Sequence, residues 1–284
     1  MSNTSTSDIA AIDVHAHYGD YNFAGVSPEQ VDWMTGCADE VVRRATRANV
    51  AWTVASPLLG LFPRGKADAA AGNDEAARVV PATPGLLQWV IIHPLQPRTY
   101  EQAAEALKQP HCMGIKIHPE EHCYPIAEHG DAIFSFAAEH GAVVLTHSGE
   151  DRSMPEAFIP FTDAHPETTL ILAHLGCTSD IDPTHQVRAI QQSKAGNVYV
   201  DTSSARSIMP RMVEWAVDKV GADRLLFGTD TPLYHTSMQR IRIDHADLSE
   251  QDRRLILRDN ALRLLEIPNS DPLATAGDAP QPTQ

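Results

Sequence analysis

The most regular feature of the chain is a series of short apolar segments, each ending in a polar residue and preceding a stretch with helical spacing. We interpret eight of these segments as β-strands, at 9–14, 51–55, 88–92, 114–117, 142–145, 169–173, 198–200 and 225–227. From the fourth strand onward the strand ends recur about every 28 residues, which suits one strand–helix unit. The pattern therefore predicts strands and helices in alternation.

Helical spacing of apolar residues fills the intervals between these strands. The best-defined helices are predicted at 131–140, 207–220 and 248–267. Gly141 and Gly221 follow the first two, at the position where a left-handed backbone closes a helix most easily.

The strands are apolar on both faces, which is typical of a parallel sheet covered by helices. Eight strand–helix units predict an α/β fold, a single-domain (β/α)8 TIM barrel over residues 9–267. An open doubly wound sheet is the alternative, but no GxGxxG follows the first strand. The polar tails at 1–8 and 268–284 are predicted to be disordered.

Composition narrows the functional class. The 284 residues contain 22 Lys and Arg against 37 Asp and Glu, a formal net charge of −15, which disfavours nucleic acid and anionic membranes as partners. Four scattered cysteines without a CxxC pair indicate reduced thiols, and no segment is typical of a signal peptide or membrane span. We expect a cytoplasmic protein with a small-molecule substrate, and the sequence leaves a homo-oligomer open.

Polar residues that can bind metals follow several of the predicted strands. Barrel enzymes carry their active sites at the carboxyl ends of the strands. Those ends carry His15, His17, Lys116, His118, His147, His174 and Asp230. His15 and His17 stand two residues apart on one strand, so both imidazoles point to the same face and one metal can bridge them.

Six short motifs carry a family resemblance. They are DVHAH from residue 13, GIKIHP from 114, LTHSG from 145, LAHLG from 172, GTDTP from 228 and DNALRLL from 259. In this order, and spanning residue 9 to about 267, they resemble the amidohydrolase superfamily, specifically the amidohydrolase-related branch of metal-dependent hydrolases and decarboxylases.

The resemblance implies a divalent metal, usually zinc with manganese as the alternative. It implies that His15, His17, His147 and Asp230 hold one ion, with His174 beside it as a ligand or proton-transfer group. A metal-bound water has its pKa lowered towards about 7. Asp230 can both ligate the metal and accept the proton of that water, so we assign Asp230 and His174 catalytic roles.

Lys116 has two interpretations. A carbamylated lysine would bridge a second metal, whereas a plain lysine would bind a substrate carboxylate. We favour the plain cation because this branch resembles mononuclear enzymes. His118 shares the strand face of Lys116, so both are predicted to bind substrate.

The favoured reaction is hydrolysis, in which a metal-activated water attacks an amide, lactone or ester carbonyl. The alternative is decarboxylation of an aromatic or unsaturated acid, and the compact chain favours hydrolysis because the resemblance implies longer decarboxylases. A nuclease is disfavoured by the charge of −15 and by a lysine where related nucleases would have glutamate. A barrel that only stores metal would be expected to lack His147 or Asp230.

Weaker candidates lie nearby, and for each a hydrogen-bonding or solvent-exposed role is favoured over catalysis. They are Asp201, Arg206, His93 and His235. The loops at 18–28 and 56–74 carry aromatic and leucine side chains, which predict a partly apolar mouth and a small hydrophobic or aromatic substrate.

Overall fold

A computed structural model describes residues 8–203 and 209–268 of the chain. Its strands are β1 (Ala11–Tyr18), β2 (Val50–Pro57), β3 (Leu86–Ile91), β4 (Cys112–Ile117), β5 (Val144–Thr146), β6 (Leu170–Leu172), β7 (Val198–Asp201) and β8 (Leu225–Leu226). All neighbouring pairs are parallel and follow chain order from β1 to β8. This sheet confirms the predicted single-domain (β/α)8 barrel and excludes the open doubly wound alternative.

Backbone hydrogen bonds between β1 and the segment after β8 bring the two ends of the sheet together. The amide of Val14 donates to the carbonyl of Phe227 at 2.9 Å, and the amide of His17 donates to the carbonyl of Thr231 at 2.7 Å. The amide of Asp230 donates to the carbonyl of His15 at 2.7 Å. The backbone thus places Asp230 beside the two histidines of β1.

Helices occupy the intervals between the strands. They are α1 (Pro28–Met34), α2 (Ala38–Arg47), α3 (Ala69–Val79), α4 (Arg98–Ala106), α5 (Ile126–Glu139), α6 (Ile159–Ala164), α7 (His185–Gln192), α8 (Met212–Val220), α9 (Thr236–Asp244), α10 (Glu250–Arg254) and α11 (Asn260–Leu264). Gly141 and Gly221 follow α5 and α8 with φ of 60° and 88°, as predicted for residues that close a helix.

Alternate strand residues belong to two different apolar cores. Val144 and Leu170 pack in the cluster that includes the helix residues Ile133 and Phe134. Their strand neighbours Leu145 and Ile171 pack in a second cluster with Trp89. The same alternation directs His147, two residues after Leu145, and Asp201, two after Tyr199, towards one end of the barrel.

Several predicted boundaries differ from the structure, and the first strand and the last helix are two examples. The first strand was expected to end at residue 14 but continues to Tyr18, because Tyr18 still pairs with Pro57 of β2. The predicted helix over 248–267 is divided into α10, a π-helical turn over Leu255–Asp259, and α11. The carbonyl of Ile256, in this wider turn, accepts a hydrogen bond from the amide of Phe227 at 2.9 Å, which ties the last helices to β8.

Three further predictions concern the ends, the thiols and membranes. Residues 1–7 and 269–284, which make up nearly all of the two predicted tails, lie outside the described residues. All four cysteines are free. No helix within residues 8–203 and 209–268 is long and apolar enough to cross a membrane.

Candidate active site

The polar strand ends converge on a cavity of about 290 Å³ at the carboxyl end of the barrel. Its lining includes six of the seven residues predicted from the sequence: His15, His17, His118, His147, His174 and Asp230. Lys116, the seventh, is 1% exposed and lies beneath the cavity lining. The barrel therefore brings all seven residues to one place.

His15, His17 and Asp230 form the tightest of these groups. Nε2 of His17 is 3.1 Å from Oδ1 of Asp230, and Nε2 of His15 is 3.6 Å from the same oxygen. Nδ1 of His17 donates to the carbonyl of Ser56 at 3.1 Å, and Nδ1 of His15 donates to Oδ2 of Asp201 at 2.8 Å. Both Nε2 atoms therefore face the carboxylate of Asp230.

This geometry fits a divalent metal. Bonds of about 2.0–2.2 Å place two ligands of one ion roughly 3.0–3.6 Å apart, which is the spacing between Asp230 and the two histidines. A cation between these atoms would interact with both imidazole nitrogens and with the carboxylate oxygen at once. Two imidazoles and a carboxylate are donors that zinc and manganese both accept.

Asp201 and Ser203 hold the histidines from behind. Oδ1 of Asp201 accepts from the amides of His174 at 3.0 Å and Ser203 at 2.9 Å, and Oδ2 bonds His15. The hydroxyl of Ser203 bonds the Asp201 carboxylate and lies 2.9 Å from Nδ1 of both His15 and His174. Asp201 was only a weak candidate from sequence and Ser203 was missed, although both stand at a strand end, where the other candidates were found.

His147 lies beside His174, at the edge of the metal group. Nδ1 of His147 is 3.1 Å from Nε2 of His174, and its Nε2 is 3.0 Å from Oε2 of Glu150. Within the described residues, two groups of three side chains have potential ligand atoms that all lie within 4.8 Å of one another. They are His15–His17–Asp230 and His15–His174–Asp201, and His147 belongs to neither group. Its assignment as a metal ligand stays a prediction. Glu150 was not anticipated from sequence.

Lys116 and His118 take different positions although they share a strand face. Nζ of Lys116 is 3.0 Å from Nε2 of His15. The imidazole of His118 lines the cavity and stacks on His147 with ring centroids 4.2 Å apart. Of the two predicted substrate-binding residues, His118 is therefore the one that faces the cavity directly.

Burial controls the protonation of the site. Burial lowers the pKa of His174 to about 4, and it lowers the pKa of His118 well below its usual value, so both imidazoles are neutral at neutral pH. Burial alone would raise the pKa of Asp230, but the imidazoles of His17, His174 and His15 outweigh it and hold this pKa at about 2. Asp230 is therefore a carboxylate.

One part of the cavity wall is aromatic, and another carries the charged side chains of Arg64, Glu121 and Glu150. Tyr21 and Phe23 stack with ring centroids 6.0 Å apart, and Phe62 meets both rings edge-on at 5.3 and 5.7 Å. Leu61 lines the cavity beside them. Two larger grooves adjoin this cavity, and neither is lined by a candidate metal ligand. The wall agrees with the partly apolar mouth predicted from the loops.

The remaining weak candidates do not line the cavity. His93 is buried and stacks on His122 with ring centroids 4.3 Å apart. His235 is exposed and stands immediately before α9. Arg206 lies outside the described residues.

Several solved structures have a similar fold. A 2,6-dihydroxybenzoate decarboxylase from Rhizobium aligns with a TM-score of 0.69 at 14% identity, over 89% of this chain and 98% of that chain. A 5-carboxyvanillate decarboxylase from Novosphingobium aromaticivorans, with bound manganese, aligns with a TM-score of 0.67 at 16% identity, over 91% and 97%. A dihydroxybenzoic acid decarboxylase from Polaromonas sp. JS666, also with manganese, gives 0.66 at 15%, over 89% and 96%. At these identities the likeness establishes the shared fold.

Sequence comparison identifies the family. No curated protein sequence matches the chain. The sequence profile of the amidohydrolase family, however, matches residues 12–267, which include every candidate site residue from His15 to Asp230. The chain therefore belongs to the amidohydrolase family.

Proposed function

We propose that this protein is a metal-dependent decarboxylase of a small aromatic or unsaturated carboxylic acid. One observation carries the proposal: the metal-compatible group His15–His17–Asp230 and the aromatic wall of Tyr21, Phe23 and Phe62 line the same small cavity. Such a cavity suits a flat apolar ring that carries a carboxylate. Three similar folds belong to aromatic acid decarboxylases, two of them with manganese.

The sequence alone favoured hydrolysis, mainly because the chain is compact. That reason loses its force, because the alignments leave only 2–4% of the three decarboxylase chains uncovered. The comparisons therefore support the decarboxylase alternative better than the hydrolase. The assignment of zinc is likewise no better supported than manganese, and the proposal requires only a divalent ion.

In this proposal His15, His17 and Asp230 hold the ion. When bound, a divalent ion supplies positive charge that orients an anionic substrate and stabilises negative charge that develops during the reaction. Asp201 and the Ser56 carbonyl fix the Nδ1 protons of His15 and His17 and so keep both Nε2 atoms available. The aromatic wall holds the substrate ring and excludes water from it.

Decarboxylation breaks the bond between the ring carbon and its carboxyl carbon. The electron pair stays on the ring carbon, CO2 leaves, and one proton is added to that carbon. His147 and His174 share a hydrogen bond between Nδ1 and Nε2, which requires a proton between the two rings. We propose that the proton between His147 and His174 is passed to the Asp230 carboxylate, which then delivers it to the ring carbon, and that the histidine pair regains a proton from solvent.

The test is a substrate panel with two readouts. Purified protein loaded with Mn²⁺ or Zn²⁺ is incubated with hydroxylated benzoic acids, among them 2,6-dihydroxybenzoate and 5-carboxyvanillate, and with lactones, esters and amides. We expect metal-dependent CO2 release from at least one acid and no hydrolysis. Asp230→Asn should reduce this release at least 100-fold, because it removes both a metal ligand and a proton carrier.

Asp223→Asn is the matched control, since this exposed aspartate lies outside the cavity. It should leave the rate unchanged. Hydrolysis of an ester, lactone or amide without CO2 release would overturn the proposal in favour of the hydrolase. CO2 release that survives both chelation and Asp230→Asn would exclude the metal site.

A further inference from the structure

We infer that Lys116 competes with the divalent ion at this site and thereby weakens its affinity for metal. The inference rests on the proposed function, because it concerns the group His15–His17–Asp230. Lys116 stands on β4 and is 1% exposed, and its Nζ lies 3.0 Å from Nε2 of His15.

This contact involves the one atom of His15 that a metal requires. A neutral imidazole has one ring proton and one lone pair. The proton of His15 is on Nδ1, which donates to Oδ2 of Asp201 at 2.8 Å. The lone pair is therefore on Nε2, where Nζ of Lys116 donates to it. A metal binds through the same lone pair, so the ammonium and the ion cannot both use it.

The charges around the site lead to the same conclusion. Asp230 and Asp201 are buried and attract either cation. Two positive charges a few ångströms apart repel strongly where water is largely excluded. Metal binding therefore has to displace the ammonium of Lys116 from His15 against the attraction of the two carboxylates, and the free energy of that displacement lowers the affinity for metal.

Carbamylation of Lys116 would have the opposite effect. Addition of CO2 to the ammonium at Nζ, with loss of two protons, turns the cation into an anionic carbamate, which attracts metal and can ligate it. The two states of Lys116 therefore predict opposite changes when the side chain is replaced. With a plain ammonium the affinity rises, and with a carbamate it falls.

The experiment measures Mn²⁺ affinity, with free Mn²⁺ read by electron paramagnetic resonance. We expect Lys116→Met to bind Mn²⁺ at least tenfold more tightly than the wild type, and Lys116→Arg, which keeps the charge, to stay within about threefold. Lys108→Met is the control, because this exposed lysine at the end of α4 is remote from the cavity. Without metal, Lys116→Met should unfold at a lower temperature than the wild type, because Asp230 and Asp201 then lack a counter-charge.

A second measurement uses only the wild-type protein. Its Mn²⁺ affinity should be the same with and without bicarbonate, whereas an increase with bicarbonate would indicate a carbamate and overturn the inference. Equal or weaker Mn²⁺ binding by Lys116→Met would also overturn it. If neither protein takes up Mn²⁺, the metal site of the proposed function fails as well. If Lys116→Met binds Mn²⁺ more tightly than the wild type but the wild type decarboxylates none of the acids, the inference stands and the assigned reaction fails.

Discussion

Asp201 shows how one buried side chain organises several functional residues. Its two carboxylate oxygens bond the imidazole of His15, the backbone of His174, and both the backbone and hydroxyl of Ser203. The carboxylate fixes the tautomer of His15 and the position of His174, which has a φ of 68° that residues other than glycine rarely adopt. A residue of this kind acts by orienting the metal ligands.

We predict that Asp201→Asn weakens Mn²⁺ binding about 10- to 100-fold. The side-chain amide of Asn accepts a weaker hydrogen bond from Nδ1 of His15 than a carboxylate does, so Nε2 of His15 donates its electron pair to the metal less strongly. Equilibrium titration of Mn²⁺ measures the effect. Asp223→Asn should match the wild type. Unchanged affinity in Asp201→Asn would show that Asp201 does not support the metal site.

At the scale of elements, the loop between β6 and α7 is fastened to the turn before α6 by His185 and Arg188, both of which bond Glu156. Nδ1 of His185 is 2.8 Å from Glu156, and its Nε2 is 2.9 Å from Asp180. Both partners are carboxylates that only accept, so their bonds favour the doubly protonated imidazole, whereas the guanidinium of Arg188, 2.7 Å from Nδ1, disfavours it. Burial and the charge of Arg188 lower the pKa of His185. The hydrogen bonds to Glu156 and Asp180 have the larger opposite effect, so the pKa is raised above its usual value.

A raised pKa fixes the sign of the pH dependence. The stabilising effect of protonated His185 is complete below its ordinary pKa of about 6.5 and is lost as pH rises through its raised pKa in the folded protein. We predict that His185→Gln lowers the unfolding midpoint by about 2 °C at pH 5.5 and has no effect at pH 9.

Thermal unfolding followed by circular dichroism at the two pH values tests this prediction. His165→Gln is the matched control, because the carboxylate that pairs with His165 within residues 8–203 and 209–268 is that of Glu167, at the longer distance of 3.6 Å. The same loss of stability at both pH values would indicate that His185 contributes packing alone.

At the scale of the whole molecule, the barrel makes the metal group a link between distant parts of the chain. His17 belongs to β1, whereas Asp230 follows β8, and their contact is 3.1 Å long. An ion held by both would stabilise the folded barrel, since the unfolded chain does not hold these ligands together.

We predict that Mn²⁺ at about 100 times its dissociation constant raises the stability by about 2.7 kcal/mol, which corresponds to an increase in the unfolding midpoint of roughly 5–10 °C. Scanning calorimetry with and without a chelator measures the difference. His17→Ala should abolish this metal-dependent increase, whereas His235→Ala, at an exposed position, should retain it. An increase that persists in His17→Ala would place the stabilising ion elsewhere.

The amino-acid sequence by itself determined the fold class and indicated many of the residues that line the candidate site. Eight repeated strands that are apolar on both faces predict a parallel sheet covered by helices. The carboxyl ends of these strands carry residues that line one cavity in the structure: His15, His17, His118, His147, His174 and Asp230. These conclusions are local, because they follow from the alternation of side chains along a strand and from the order of the strands.

Only the tertiary structure decided how these residues contact one another. The atoms of Lys116 and His15 that approach to 3.0 Å are 101 residues apart in sequence, and those of Asp201 and His15 are 186 apart. Such contacts depend on how the barrel closes and on the turns after its strands, which place Asp230 at a φ of 57°. The periodicity of the sequence specifies on which face of a strand a side chain lies. Closure of the barrel specifies which of these side chains form hydrogen bonds or electrostatic interactions with one another.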